Sequence, residues 1–271
     1  WPAPFAPLPA LAAPPPAAAA TGGEPAADDD GPRIVEVEPT GGGESDDLGS
    51  LSVARVVQLM GQSPRALPLQ LRGCAALMRH LGADDGAAVA AGNARAVPVL
   101  LRALRTHGQH AELQSDAWRL LLAMGRAQPY LRRLIVDGGA MGLLLSALSA
   151  HQTDERAHLT HLLAVRALLS SFSPKAFVEA SGVELLCEAV LQRPASLAHA
   201  EAAAGSLHML GGVNNVVRRK VINARVLPPL LALLGGAAAG RSSTHETVLG
   251  MLVQLLKVDD EYSRESLVEQ A

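Results

Sequence analysis

The chain's nine histidines and two cysteines are the side chains with the clearest capacity for metal chemistry. His158 and His161 stand three apart, which brings both rings to one side of a helix. His107 and His110 lie close to Glu112. Zinc takes about four ligands in a tetrahedron, and neither group has a further cysteine or carboxylate at a suitable spacing. These histidines are therefore expected on a solvated surface, and no metal or other cofactor is expected. Cys74 and Cys187 are too few for a disulfide framework or a cysteine zinc set. They are expected to stay reduced, as in a cytoplasmic protein, with the nucleus also compatible. Gly211-Gly212 and Gly235-Gly236 are followed by no Lys-Ser or Lys-Thr, so neither is a phosphate loop. No nucleophile elbow or dinucleotide fingerprint is present either, and the chain is expected not to be an enzyme.

The elements that must carry these residues come from the composition and its repetition. Hydrophobic residues make up 49% of the chain and aromatics only 3%. Such a core rests on Leu, Ala and Val, and the first two enter helices at little entropic cost. Apolar blocks recur: "VARVVQLM" from Val53, "VPVLLRAL" from Val97, "MGLLLSAL" from Met141, "VELLCEAV" from Val183 and "LPPLLALL" from Leu227. Each is followed by a second helical pattern, among them "CAALMRHL", "AWRLLLAM", "VRALLSSF" and "AGSLHMLG". Short segments such as "YLRRLIVDGG", "PKAFVEASG" and "VVRRKVINAR" lead into the next block. A step of 42 to 44 residues with two longer helices and one short one reads as a stack of repeats, each burying its apolar stripes against the next. Gly or Asn at the turn into each block, and Pro98 and Pro228 in its first turn, suit the helix starts.

The stretches "LIVDGGAMGLLLSAL" and "VINARVLPPLLALL", each preceded by a helix of the type "LQSDAWRLLLAM", resemble armadillo repeats over residues 48 to 271. The resemblance implies an all-α, right-handed helical solenoid of about five repeats, with a groove lined by the third helix of each. In that family a Trp and an Asn four apart on the third helix hold extended basic peptides. Trp118 matches the Trp, but Leu122 stands where the Asn belongs. The other repeats offer Ala75 with Arg79, Arg166 with Ser170, Gly205 with Met209, and Gly250 with Gln254. The missing asparagines argue against a nuclear-import receptor. What the resemblance implies instead is a non-catalytic scaffold that binds a protein or extended peptide through Arg79, Trp118, Leu122, Arg166, Ser170 and Met209. Trp118 itself is expected to be partly packed between repeats. A second implied function is nucleotide exchange on Hsp70, because "STHETVLGMLVQLL" is similar to the closing helix of armadillo-type exchange factors.

Charge is spread unevenly. From Glu24 to Asp47 there are nine acidic residues against Arg33 alone, whereas the whole chain carries only −3. The remainder is therefore mildly basic. Arg132-Arg133 and Arg218-Arg219 lie two repeat steps apart and Lys175 falls in phase with Arg133, so a basic stripe is one reading and a solvated helix face the other. Nucleic-acid binding would need a denser patch with stacking aromatics and is not expected. Apolar runs are broken by Pro, Gly or charge, so no membrane span is expected. Residues 1–47 hold ten of the eighteen prolines and are expected to form a disordered leader. Within it, Ile34, Val35 and Val37 flanked by acids resemble a SUMO-interaction motif. "YSRESLVEQA" from Tyr262 matches "YLRRLIVDGG" from Tyr130 in phase, so the array is expected to be cut off at the start of a sixth repeat. The chain is expected to act as a monomer or as a subunit of a larger complex.

Overall fold

The computed structural model describes residues 48–271, without 85, 194–195, 213–214, 236–241, 258–264, 266–267 and 270–271. The leader with its Ile34–Val37 motif, and most of the segment expected to open a sixth repeat, lie outside the described residues. Among the described residues there are fourteen α-helices, one short 3₁₀ turn and no strands.

Three helix types alternate along the chain, of 9–11, 14–17 and 6–9 residues. Helices of intermediate length are α1 (Val53–Gln62), α4 (Ala96–Thr106), α7 (Ala140–Ala150), α10 (Gly182–Gln192) and α13 (Leu227–Gly235). Long helices are α2 (Leu67–Ala83), α5 (Ala111–Ala127), α8 (Glu155–Leu168), α11 (Leu197–Gly211) and α14 (Ser242–Leu255). Short ones are α3 (Ala87–Asn93), α6 (Pro129–Asp137), α9 (Pro174–Glu179) and α12 (Asn215–Asn223). The intermediate helices begin within one residue of the positions the apolar blocks mark.

Local chemistry starts and stops them. Ser52, His110, Asp154 and Ser173 each accept a backbone N–H three residues on, which satisfies an orphan donor of the first turn. Pro68, Pro129 and Pro174 sit in first turns, where an N–H is not needed. Between each short helix and the next the chain bends sharply, by 76° from α3 to α4 and 71° from α6 to α7. The bend rests on one left-handed residue in each case: Arg95, Gly139, Ser181 and Arg225. The glycine or asparagine expected there is present only once, at Gly139. The other three turns place an ordinary side chain where φ is 54° to 59°, at a cost of about 1–2 kcal/mol each.

Like helices stack on like. The long helices pack in the order α2, α5, α8, α11, α14, and the intermediate ones in the order α1, α4, α7, α10, α13. One apolar core runs through every repeat from Leu48 to Leu255, so each unit covers its stripe with its sequence neighbour. Polar clamps tie the units at equivalent places. Gln70 Nε2 donates to the carbonyls of Met60 and Ser63, both at 2.9 Å. Gln114, 44 residues on, does the same to Leu104 (2.8 Å) and His107 (3.2 Å). From one unit to the next, His107 Nε2 donates to the Pro64 carbonyl (3.0 Å), His151 Nε2 to Gly108 (2.8 Å), and Arg193 to Gln152.

Candidate functional site: the outward face of the long helices

The starts of the long helices fix their common register. The residues preceding α2, α5, α8 and α11 are Ala66, His110, Asp154 and Ser196. Counted from these, positions 9, 13 and 16 lie about one and two turns apart along one side. They are Ala75, Arg79 and Gly82 on α2; Arg119, Ala123 and Arg126 on α5; Leu163 and Ala167 on α8 with Ser170 in the 3₁₀ turn that follows it; and Gly205 and Met209 on α11 with Gly212 just past its end. All but Gly205 are exposed or half-buried. The helices are held side by side along this face. Arg156 of α8 reaches Asp116 of α5 at 2.9 Å, and Arg119 shares that carboxylate at 3.7 Å. Arg166 of α8 lies across Gly205 of α11, where an added Cβ would sit 3.0 Å from its guanidinium carbon. His208 crosses Gly250 of α14 in the same way.

The residues proposed from sequence divide between this face and the interior. Arg79, Ser170 and Met209 stand on it, and Arg166 borders it half-buried. Trp118 has no exposed surface and Leu122 retains 9%. Trp118 is thus completely buried rather than partly packed, and neither residue is available as a surface anchor. Trp118 and Arg166 are not equivalent but stand one turn apart in the common register: the structural equivalent of Trp118 is Leu162, and that of Leu122 is Arg166. The apolar pattern of a helix nearly repeats every turn, so a block can be aligned one turn out without a visible penalty.

The basic residues do not make a free stripe. Arg133 pairs with Asp137 and Lys175 with Glu179, both at 3.8 Å and both four residues on. Arg132 is half-buried beside Gly125. Arg218 donates to the carbonyls of Gly211 (2.9 Å) and Lys257 (3.3 Å) at the ends of two long helices. Arg219 is exposed.

Of the histidines expected at the surface, His158 and His161 are instead in the core, while His107 and His110 are half-buried. His158 and His161 are 2% and 0% exposed, and His199 is also at 0%. The ring of His158 stacks on that of His199 at 5.4 Å, and His151 lies 5.6 Å from His161. His158 occupies the place of Gln70 and Gln114 but does not reproduce their clamp: its Nδ1 has no hydrogen-bond partner. Both ring nitrogens of His161 and Nε2 of His199 are likewise buried without one. Ser196 Oγ lies 2.7 Å from His199 Nδ1. Burial pushes His161 down to about 3, helped by His151 and His158 and opposed by Asp154. It pushes His158 down to about 4, helped by His199 and Arg193. His199 is lowered by burial and by Arg193, against Glu155. These rings are therefore neutral packing groups at neutral pH. Among the described residues, no three His, Cys, Asp or Glu side chains come together to hold a metal ion. The recurrence of a polar residue at 70, 114 and 158 amid apolar neighbours was the one sequence signal that could have placed His158 inside.

Both cysteines are buried, Cys74 in α2 and Cys187 in α10. Burial raises each thiol to about 12, with Asp116 adding to the effect at Cys74 and Glu184 at Cys187, where Lys220 opposes. On another part of the surface, α3, α4 and α6 enclose a largely apolar cleft of about 400 Å³ walled by Arg95, Pro98, Leu131, Leu134 and Asp137. Among the described residues no single helix is long and apolar enough to cross a membrane.

The comparisons with known proteins bear on the fold. No protein-family model matches the chain, and no curated protein matches it in sequence. A solved structure does match: the crystal structure of an engineered protein, with a TM-score of 0.61 over 81% of this chain and 85% of that one, at 20% identity. The chain is thus an all-α protein built in the manner of a helical repeat. At that identity the likeness carries the fold alone.

Proposed function

We propose that this chain is a non-catalytic binding protein of the armadillo type, a right-handed solenoid of about five repeats that holds a partner protein or extended peptide along its long helices. The alternation of short, intermediate and long helices supports the repeat type. The observation that carries the binding reading is the row of equivalent outward positions on four successive long helices, continuous from Arg79 to Met209. A continuous surface of equivalent positions is what a stacked array offers to an elongated ligand. Arg79, Arg166, Ser170 and Met209 make contact in this reading, while Trp118 and Leu122 support the helix beneath them.

The test is site-specific capture. A photo-crosslinking residue in place of Leu163 or Met209, both about two-fifths exposed, should capture the partner in the native cell. The same residue in place of Leu191 on α10, equally exposed but off this row, should not. Equal capture from all three positions would move the site elsewhere.

A further inference from the structure

The twelve positions of this row, Gly205 among them buried, separate by chemistry along the array. On α2 and α5 three of the six are arginines: Arg79, Arg119 and Arg126. On α8 and α11 none of the six is charged, and Leu163 and Met209 stand out at 43% and 41% exposure. No acid occupies any of the twelve. Helix α2 contains no Asp or Glu at all, and α11 contains no Lys or Arg. Asp116, the carboxylate paired with Arg119, is also held by Arg156. Arg166 lies flat over Gly205 at the border, so the neutral half is a shallow patch rather than a pocket.

We propose that this face binds a partner segment of segregated chemistry, with carboxylates at one end over α2 and α5 and apolar side chains at the other over α8 and α11. The inference rests on the binding reading above and adds the partner's class. A basic segment would meet three like charges, beside a carboxylate, Asp116, that Arg119 and Arg156 already share. A uniformly acidic one would set carboxylates against the exposed Leu163 and Met209, with the half-buried Arg166 over Gly205 as the cation at hand there. Packed helices sit about 10 Å apart, so α2 to α11 spans roughly 30 Å. An extended chain advances about 3.3 Å per residue, which sets the segment at about nine residues.

The full chain can be panned against a random library of peptides about twelve residues long, with the binders measured on the native protein and on two double variants. Arg79→Ser with Arg126→Ser removes charge at exposed sites, and Leu163→Gln with Met209→Gln removes apolar surface. Circular dichroism checks that both remain folded. The expected binders carry Asp and Glu in one half and apolar residues in the other. The arginine variant should weaken them about tenfold at low salt and flatten their salt dependence. The Leu163/Met209 variant should weaken them by a similar factor and leave the salt dependence intact. Binders that respond to these variants but are basic, or mix acid and apolar residues without segregation, overturn the assigned chemistry and leave the binding reading standing. A library that yields no binder, or only binders indifferent to all four substitutions, overturns both.

Discussion

Mild acid should loosen the array at one identifiable place, and the size of the effect follows from the buried rings. His158 and His161 take up protons only near 4 and 3 in the folded chain, whereas an unfolded histidine does so near about 6.5. Below that value the unfolded state binds protons that the folded state refuses, so stability is fully present above about pH 6.5 and declines as pH falls. Each ring contributes a slope approaching about 1.4 kcal/mol per pH unit. By pH 5 the loss is about 2 kcal/mol for each, or about 4 kcal/mol for the pair. His199 adds to it in the same direction. Against a domain stability of about 5–15 kcal/mol this is a large fraction. Urea unfolding followed by circular dichroism from pH 7.5 to 5 measures the total. Hydrogen exchange read peptide by peptide should place the first opening in α8 and α11. Replacing His158 by Gln should restore the clamp seen at Gln70 and Gln114, through the carbonyls of Leu148 and His151, and halve the pair's acid loss. Stability that stays level down to pH 5, or an unaltered slope in both His158→Gln and His161→Leu, would show the reasoning to be wrong.

Other expectations concern the interior. Trp118→Ala should cost about 3–5 kcal/mol in chemical denaturation through the cavity it leaves. Trp118→Phe should cost less, because the buried indole N–H that it removes has no partner. Cys74 and Cys187 should resist maleimide at pH 8 in the folded chain and react in urea; rapid labelling of both without denaturant would contradict their burial. At Gly139, where φ is 87°, alanine should lower stability by about 1–2 kcal/mol, whereas Arg95→Gly should raise it by up to about 1 kcal/mol. Thermal melts that rank the two substitutions the other way would remove the left-handed turn as their cause.

How far the sequence could be read depended on which periodicity carried the signal. The repeat length and the starts of the intermediate helices were legible, since the blocks from Val53 to Leu227 keep a common phase over 42 to 44 residues. The long helices were legible as helices but not to the turn, which is why Trp118 was matched with Arg166 rather than Leu162. Arg95, Ser181 and Arg225 give no sign in their side chains of a left-handed backbone, because the packing of the flanking helices imposes it. His158 and His161 look like surface residues by type. Their burial comes from the layer of intermediate helices on one side and a neighbouring long helix on the other, and neither lies within a window of local sequence. Of the candidate site, Arg79, Ser170 and Met209 were found through their offset within the repeat, while Arg119, Arg126 and Leu163 emerged only when the helix starts fixed the common register.

The bonds from His107 to Pro64, His151 to Gly108 and Arg193 to Gln152 all join the same corner of successive units, where an intermediate helix turns into a long one. Fastened there, neighbouring units pivot about a line of carbonyls as pages do about a spine. Sideways shear has to break a hydrogen bond at each of these three joints, whereas fanning apart elsewhere is resisted at particular joints by Arg105 on Gly138, Arg156 on Asp116 and Arg218 on Lys257. Compliance is therefore directional, and bending along the array is shared among joints as small rotations of the same sense.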